Sequence, residues 1–188
     1  MSKRLKRISA SGFNGLAGIE YFDFEEDFIE KNIRCIPMIV RFKLDKAGIK
    51  LKLDEWNRLI VEERLELACR SCSNEEETAR YRQYLQKLVL TRSSREATNL
   101  AIDQHPAWAD LQMIPALLMN KLREDELYMS LDQWQRLTNL QRFALLKLCK
   151  PGHESKNFPK AMREFGLLRL TTSTREKNKN EITDYYKN

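Results

Sequence analysis

The sequence predicts an all-α fold: a helical bundle built from two similar helical units and a C-terminal helix. Three observations carry this expectation. Leu, Glu, Lys, Arg, Gln and Ala are plentiful, whereas 6 Gly and 5 Pro are few for a chain of tight β turns. Apolar residues recur at helical spacing behind recognisable N-caps. A run in the first half returns in the second at a constant offset of 78, with 11 of 34 positions identical between 36–69 and 114–147. Ile36-Pro37 matches Ile114-Pro115, Leu53-Asp54 matches Leu131-Asp132, Trp56 matches Trp134 and Arg64 matches Arg142. A matched Trp in an ungapped run argues for a duplicated unit. Two amphipathic helix pairs of similar composition are the plainer alternative.

Residues 1–16 mix basic residues with Ser and Gly and read as a mobile basic arm. Tyr21 to Phe28 alternates aromatic and acidic residues, as an extended segment with one buried face or as a helix start. Ile36 to Lys46 reads as a helix with Pro37 in its first turn and Gly48 at its stop. Asp54 can cap the next helix, and a further one follows from Val61. Asn74 precedes Glu75-Glu76-Glu77, a cap followed by acids that complement the helix dipole. That helix runs to Leu90 with Tyr81, Tyr84, Leu85 and Leu88 on one stripe. After a loop at Thr91 to Glu96, the reading places a short helix over Ala97–Ile102 and another over Trp108–Leu122.

The second copy has the sharper signals. Ser130-x-x-Gln133 and Thr138-x-x-Gln141 both fit the capping box, which puts Trp134 on one short helix and Phe143 on the next. Leu140, Phe143, Ala144, Leu145, Leu146 and Leu148 make the latter apolar around most of its surface, which predicts a central position. Pro151-Gly152 ends it, Ser155 or Asn157 can cap a last helix near Pro159–Phe165, and Gly166 stops that. Residues 17–168 are expected to form a single helical domain, and 169–188 a flexible polar tail.

The net charge of +6 sits on the ends. Residues 1–16 hold four basic residues and no acid, and residues 169–188 hold five basic against three acidic, so 17–168 is formally neutral. A nucleic-acid binder usually carries its basic stripe on the folded body. Charge confined to tails favours solubility over phosphate binding. Four scattered Cys do not make a secreted disulfide scaffold. No run approaches the ~18 apolar residues of a membrane helix, and no apolar stretch follows the basic N-terminus, so a cytoplasmic protein is expected.

Candidate chemistry is sparse. Cys69-x-x-Cys72 lacks the second ligand pair of a structural zinc site and the βαβ context of a redox motif, so it reads as a helix end. Cys35 and Cys149 read as core thiols, and Trp56 and Trp134 as core anchors of the two copies. With only His105 and His153 available, no nucleophilic triad can be assembled. No glycine-rich nucleotide loop is present. The turn carrying His153, Glu154 and Asn157 can line a partner surface or serve as a cap and turn. Arg34, Arg41 and Lys43 can grip a carboxylate or phosphate, against the plainer reading of a solvated face with snorkelling side chains.

Three blocks resemble one family: F-x-F-E-x-D-F with R-C-I-P-M-I-V-R-F-K-L-D-K-A-G-I-K-L between Phe22 and Leu51, L-x-x-W-x-x-L from Leu53, and L-Q-R-F-A-L-L-K-L with G-H-E-S-K-N-F and E-F-G-L between Leu140 and Leu167. They look like the cyanobacterial nitrate reductase-associated proteins. The resemblance spans about 22–168 and implies an accessory protein of nitrate assimilation, tied to assimilatory nitrate reductase and its molybdenum cofactor or maturation. It carries over no catalytic residues. The Cys69-x-x-Cys72 pair departs from the Pro-Cys ending anticipated in similar proteins, which puts a role for the pair in doubt.

The expectation is therefore a non-enzymatic maturation factor that carries no cofactor of its own. Its partners would be nitrate reductase or the molybdenum-cofactor maturation machinery, with no membrane. Arg34, Arg41, Lys43, His153, Glu154 and Asn157 are the candidate partner-binding residues. The alternative is a nucleic-acid-binding regulator using a helix pair and the basic tails.

Overall fold

A computed structural model describes residues 20–25 and 36–168, with His153 and Glu154 described by their backbone alone. The basic arm, the polar tail, Arg34 and Cys35 lie outside the described residues. The fold is mostly helical, with one small two-stranded sheet. A 3-10 helix at Asp23–Glu25 precedes α1 (Met38–Ala47), β1 (Ile49–Lys50), α2 (Leu53–Arg58), α3 (Val61–Cys69) and α4 (Glu75–Ser93). Then come β2 (Thr98–Asn99), α5 (Ala116–Glu124), α6 (Leu131–Arg136), α7 (Asn139–Leu148), a second 3-10 helix at His153–Asn157 and α8 (Phe158–Glu164).

Local chemistry places most of these elements. Asn74 caps α4, its Oδ1 accepting the Glu77 N–H at 2.9 Å. The capping boxes at Ser130 and Thr138 both form, with Gln133 and Gln141 reaching back to the cap N–H at 2.9 Å each. Asp54 is not the cap of α2. Lys52 holds that position, and the Glu55 carboxylate accepts its N–H at 2.8 Å. Ser155 and Asn157 do not cap α8 through their side chains either. The Ser155 hydroxyl instead donates to Gly152 O at 2.7 Å, and Asn157 turns inward.

Helices α1, α2 and α3 start at 38, 53 and 61, and α5, α6 and α7 start at 116, 131 and 139, each later by 78. The contacts follow the same offset. Arg64 lies over the Trp56 ring at 5.4 Å, and Arg142 over the Trp134 ring at 5.7 Å. The correspondence stops after α3 and α7. The first is followed by the 19-residue α4, the second by a 3-10 turn and the 7-residue α8.

One predicted helix is absent and another is shortened. Ala97–Ile102 is not helical. Its Thr98 and Asn99 pair antiparallel with Lys50 and Ile49, and the Leu100 N–H donates to Gly48 O at 2.8 Å. Gly48 permits this approach, with φ +62 and an added Cβ falling 2.7 Å from Ile102 Cγ1. The Trp108–Leu122 helix shrinks to Ala116–Glu124, because side chains from the following helices capture the backbone of the preceding loop. Arg142 Nε donates to Trp108 O, and Trp134 Nε1 to Asp110 O, both at 2.7 Å. Gln135 Nε2 donates to Leu111 O at 2.8 Å. Those carbonyls are then not free for a helical ladder, and Pro115 sets the later start.

One core runs through all eight described α-helices, the first 3-10 helix and β1, with α7 near its centre. α1 packs against both α4 and α7. Phe143 is buried on α7 and meets Phe42 edge-on at 5.3 Å, and Phe42 meets Trp108 at 4.9 Å. Arg142 is buried beside them. It bonds Trp108 O, Leu137 O, Trp134 O and Asn139 Oδ1, a neutral cradle that ties the loop to α6 and α7. Burial lowers its pKa.

Candidate functional site

The first and last described segments meet at a buried junction. Phe22 and Phe24 stack at 5.2 Å, and both meet Phe165 edge-on at 4.9 and 6.0 Å. Glu164 of α8 clamps the 3-10 helix, its two oxygens accepting the Asp23 and Phe24 N–H groups at 2.9 and 3.1 Å. Glu25 points the other way, into the start of α1. Its carboxyl accepts the Met38 N–H at 2.6 Å and the Phe22 N–H at 3.4 Å. Burial pushes the Glu25 carboxyl up to about 8, against the opposing pull of those N–H groups and of the Arg41 charge. Burial also raises Glu164.

Asn157 closes the junction from the second 3-10 helix. Its Nδ2 donates to Phe24 O at 3.4 Å, and its buried Oδ1 has no partner among the described residues. Gly152, at φ +152, opens that turn, a conformation that disfavours side chains. The turn backbone brings His153 and Glu154 to the end of the molecule where Asn157 meets Phe24.

The candidate partner-binding residues therefore separate. Arg41 acts electrostatically on Glu25, and Asn157 is bonded to Phe24, so these two belong to the junction. Lys43 does not. Two residues after Arg41, it lies about 200° around the helix, at about 100° per residue. It is buried, with its Nζ donating to Ala68 O at 2.5 Å. Lys46 likewise donates to Cys72 O, so both lysines tie α1 to the end of α3 and the turn beyond it. Burial removes Lys43 and Asn157 from any free surface. Burial lowers the Lys43 pKa and raises that of Cys72. It pushes the Cys149 thiol up to about 12, as a core thiol requires.

A second feature lies on another face. The end of α1, the first turns of α4, the loop 102–108, Leu117 of α5 and α7 with Lys150 beyond it line a groove of about 750 Å³. The Lys147 ammonium meets the Asp45 carboxylate across it at 2.7 Å. Among the described residues no group of His, Cys, Asp and Glu is arranged to hold a metal ion, and no helix is long and apolar enough to cross a membrane.

A family model described as conserved nitrate reductase-associated protein matches residues 21–165. The chain belongs to that family. The match begins and ends in the two segments that meet at the junction, and it spans all eight α-helices found among the described residues. It is a match to the family as a whole and says nothing of cyanobacteria. A nitrate reductase-associated protein is an accessory of that enzyme, not the reductase itself. No curated protein and no solved structure matches the chain.

Sequence reasoning missed Glu25 and Glu164. The signal for Glu25 was an acid set among aromatics in Tyr21-Phe22-Asp23-Phe24-Glu25, a position where a carboxyl is readily buried. Nothing local distinguishes Glu164, whose partners lie about 140 residues earlier. The groove is not legible in the sequence because five separate segments build it.

Proposed function

We propose that this protein is an accessory factor that binds molybdenum-dependent assimilatory nitrate reductase, or its cofactor-maturation machinery, and stabilises one conformer during assembly. The family match over 21–165 carries this reading. Binding one conformer better than another shifts its population by the difference in affinity, with no chemistry performed by the accessory chain.

The docking surface we assign includes the 153–157 turn and Arg41. A turn tied to the junction through Asn157 presents its outward residues at a fixed place, which limits the entropy lost on docking. Asn157 and Lys43 serve that surface from inside the fold, the first by bonding Phe24 and the second by tying α1 to α3. The pseudo-repeat belongs to the same reading. A duplicated unit, in our proposal, forms the scaffold, and the unmatched 3-10 turn and α8 are the addition that carries the partner contact.

Deletion of the gene tests the reading, with nitrate reductase activity and molybdenum content measured in the same cells. Reduced activity with reductase polypeptide still present is expected. Unchanged activity and unchanged molybdenum content would exclude an accessory role.

A further inference from the structure

We propose that the groove between α1, α4, α7 and the loop 102–108 is a binding site for an organic anion with an aromatic or apolar body. The volume of about 750 Å³ falls in the range of about 300–1,000 Å³ typical of ligand pockets. The argument comes from how its charges are arranged with depth.

Lys46, Arg82 and Lys147 line the groove as partly buried cations, whereas Asp45, Glu75 and Asp103 line it as exposed acids. Lys46 donates to Cys72 O. Arg82 donates to Ala47 O, to Gly48 O at 3.1 Å and to Asn99 Oδ1 at 2.7 Å. These acceptors are neutral, so among the described residues both cations lack a carboxylate partner. Lys147 has one, but its partner Asp45 is 44% exposed while Lys147 is 20% exposed, so a bound anion can take over from Asp45 at little cost. Fields are stronger where water is partly excluded, so the partly buried cations outweigh the exposed acids for a ligand inside the groove.

The walls supply the second half of the chemistry. Trp108 and Leu146 are partly exposed in the groove, and Ile102 and Leu117 keep 45% and 43% of their surface open. An inorganic anion satisfies the cations and leaves that apolar surface wet. An uncharged aromatic covers the surface and leaves the cations unpaired. A molecule with both parts does both. The walls are also held in place. Leu100 is bonded to Gly48, which anchors the start of the loop, and Phe42 locks Trp108 against Phe143. This inference does not depend on the reductase reading.

The test uses two fluorescent probes that differ by one charged group, anilinonaphthalenesulfonate and uncharged N-phenylnaphthylamine, titrated into the full chain. The sulfonate is expected to bind at one molecule per chain and about tenfold more tightly than its uncharged sibling, the value of one charge-assisted contact. Ala79→Trp fills the groove from an exposed position on α4 and is expected to abolish binding with the melting temperature unchanged. Lys150→Glu, on the exposed rim, is expected to weaken the sulfonate and leave the uncharged probe unaffected. Equal affinities for the two probes would overturn the proposal, as would sulfonate binding that ignores both variants. Inorganic phosphate that displaces the sulfonate at equal concentration would overturn the apolar half. If Ala79→Trp lowers the melting temperature, the Lys150→Glu comparison decides alone.

Discussion

Replacing Glu25 with Gln should abolish a large part of the pH dependence of stability. Glu25 is almost fully buried, and its carboxyl sits at about 8 in the folded chain against 4.5 ordinarily. A group raised in this way adds stability that is whole below 4.5 and is lost as pH rises, because the unfolded chain sheds its proton first. At about 1.36 kcal/mol per pH unit, the loss is about 3 kcal/mol near neutrality and about 5 kcal/mol above the folded value. Gln is neutral throughout, has nearly the same shape and keeps one oxygen to accept the shorter bond, from the Met38 N–H, giving up only the 3.4 Å contact with the Phe22 N–H. The variant should therefore match the wild type in mild acid and exceed it increasingly as pH rises. For a domain of this size, about 3 kcal/mol corresponds to a melting temperature raised by about 6–12 °C. Urea denaturation of both proteins at about pH 5, 7 and 9 reads the difference directly. Glu164 is also raised by burial and gives both proteins a residual slope of the same sign, so the comparison isolates Glu25. A stability difference that stays constant across that range, or that favours the wild type at high pH, would refute the argument.

Three further substitutions probe the packing. Arg142→Met strands the carbonyls that Arg142 bonds and should cost about 3–5 kcal/mol in urea denaturation, well beyond the cost of Arg64→Met at the equivalent position. Trp134→Phe should cost about 1–2 kcal/mol more than Trp56→Phe, because Trp134 Nε1 bonds Asp110 O while Trp56 Nε1 has no partner among the described residues. Gly48→Ala combines a left-handed φ of +62 with a Cβ 2.7 Å from Ile102 Cγ1, and about 2–4 kcal/mol of lost stability is expected by thermal melting.

What could be read in the sequence was local. The caps at Asn74, Ser130 and Thr138 act within three residues, and all three form. The all-round apolar character of Leu140 to Leu148 is a property of one short run, and it placed that helix near the centre of the core. What could not be read was made at a distance. The loop 108–115 carries a plausible helical pattern, but Trp134, Gln135 and Arg142 take its carbonyls from 24 to 34 residues away. Ala97–Ile102 was lost for a similar reason, since Gly48 lets the backbone of Leu100 come close. Gly48 was legible as a helix stop and not as a docking point. Among the candidate site residues, helical geometry alone could have separated Arg41 from Lys43, which lie on opposite sides of α1.

In our proposal this chain binds nitrate reductase or its cofactor-maturation machinery, and equilibrium binding of the purified chain to each of them tests it most directly. A saturable complex of micromolar or tighter affinity is predicted, weakened about tenfold or more by Arg41→Glu or by Glu154→Arg at a temperature where each variant is folded. No complex even at about millimolar concentration, with the cofactor-loaded reductase, the cofactor-free reductase or the maturation proteins, would contradict it.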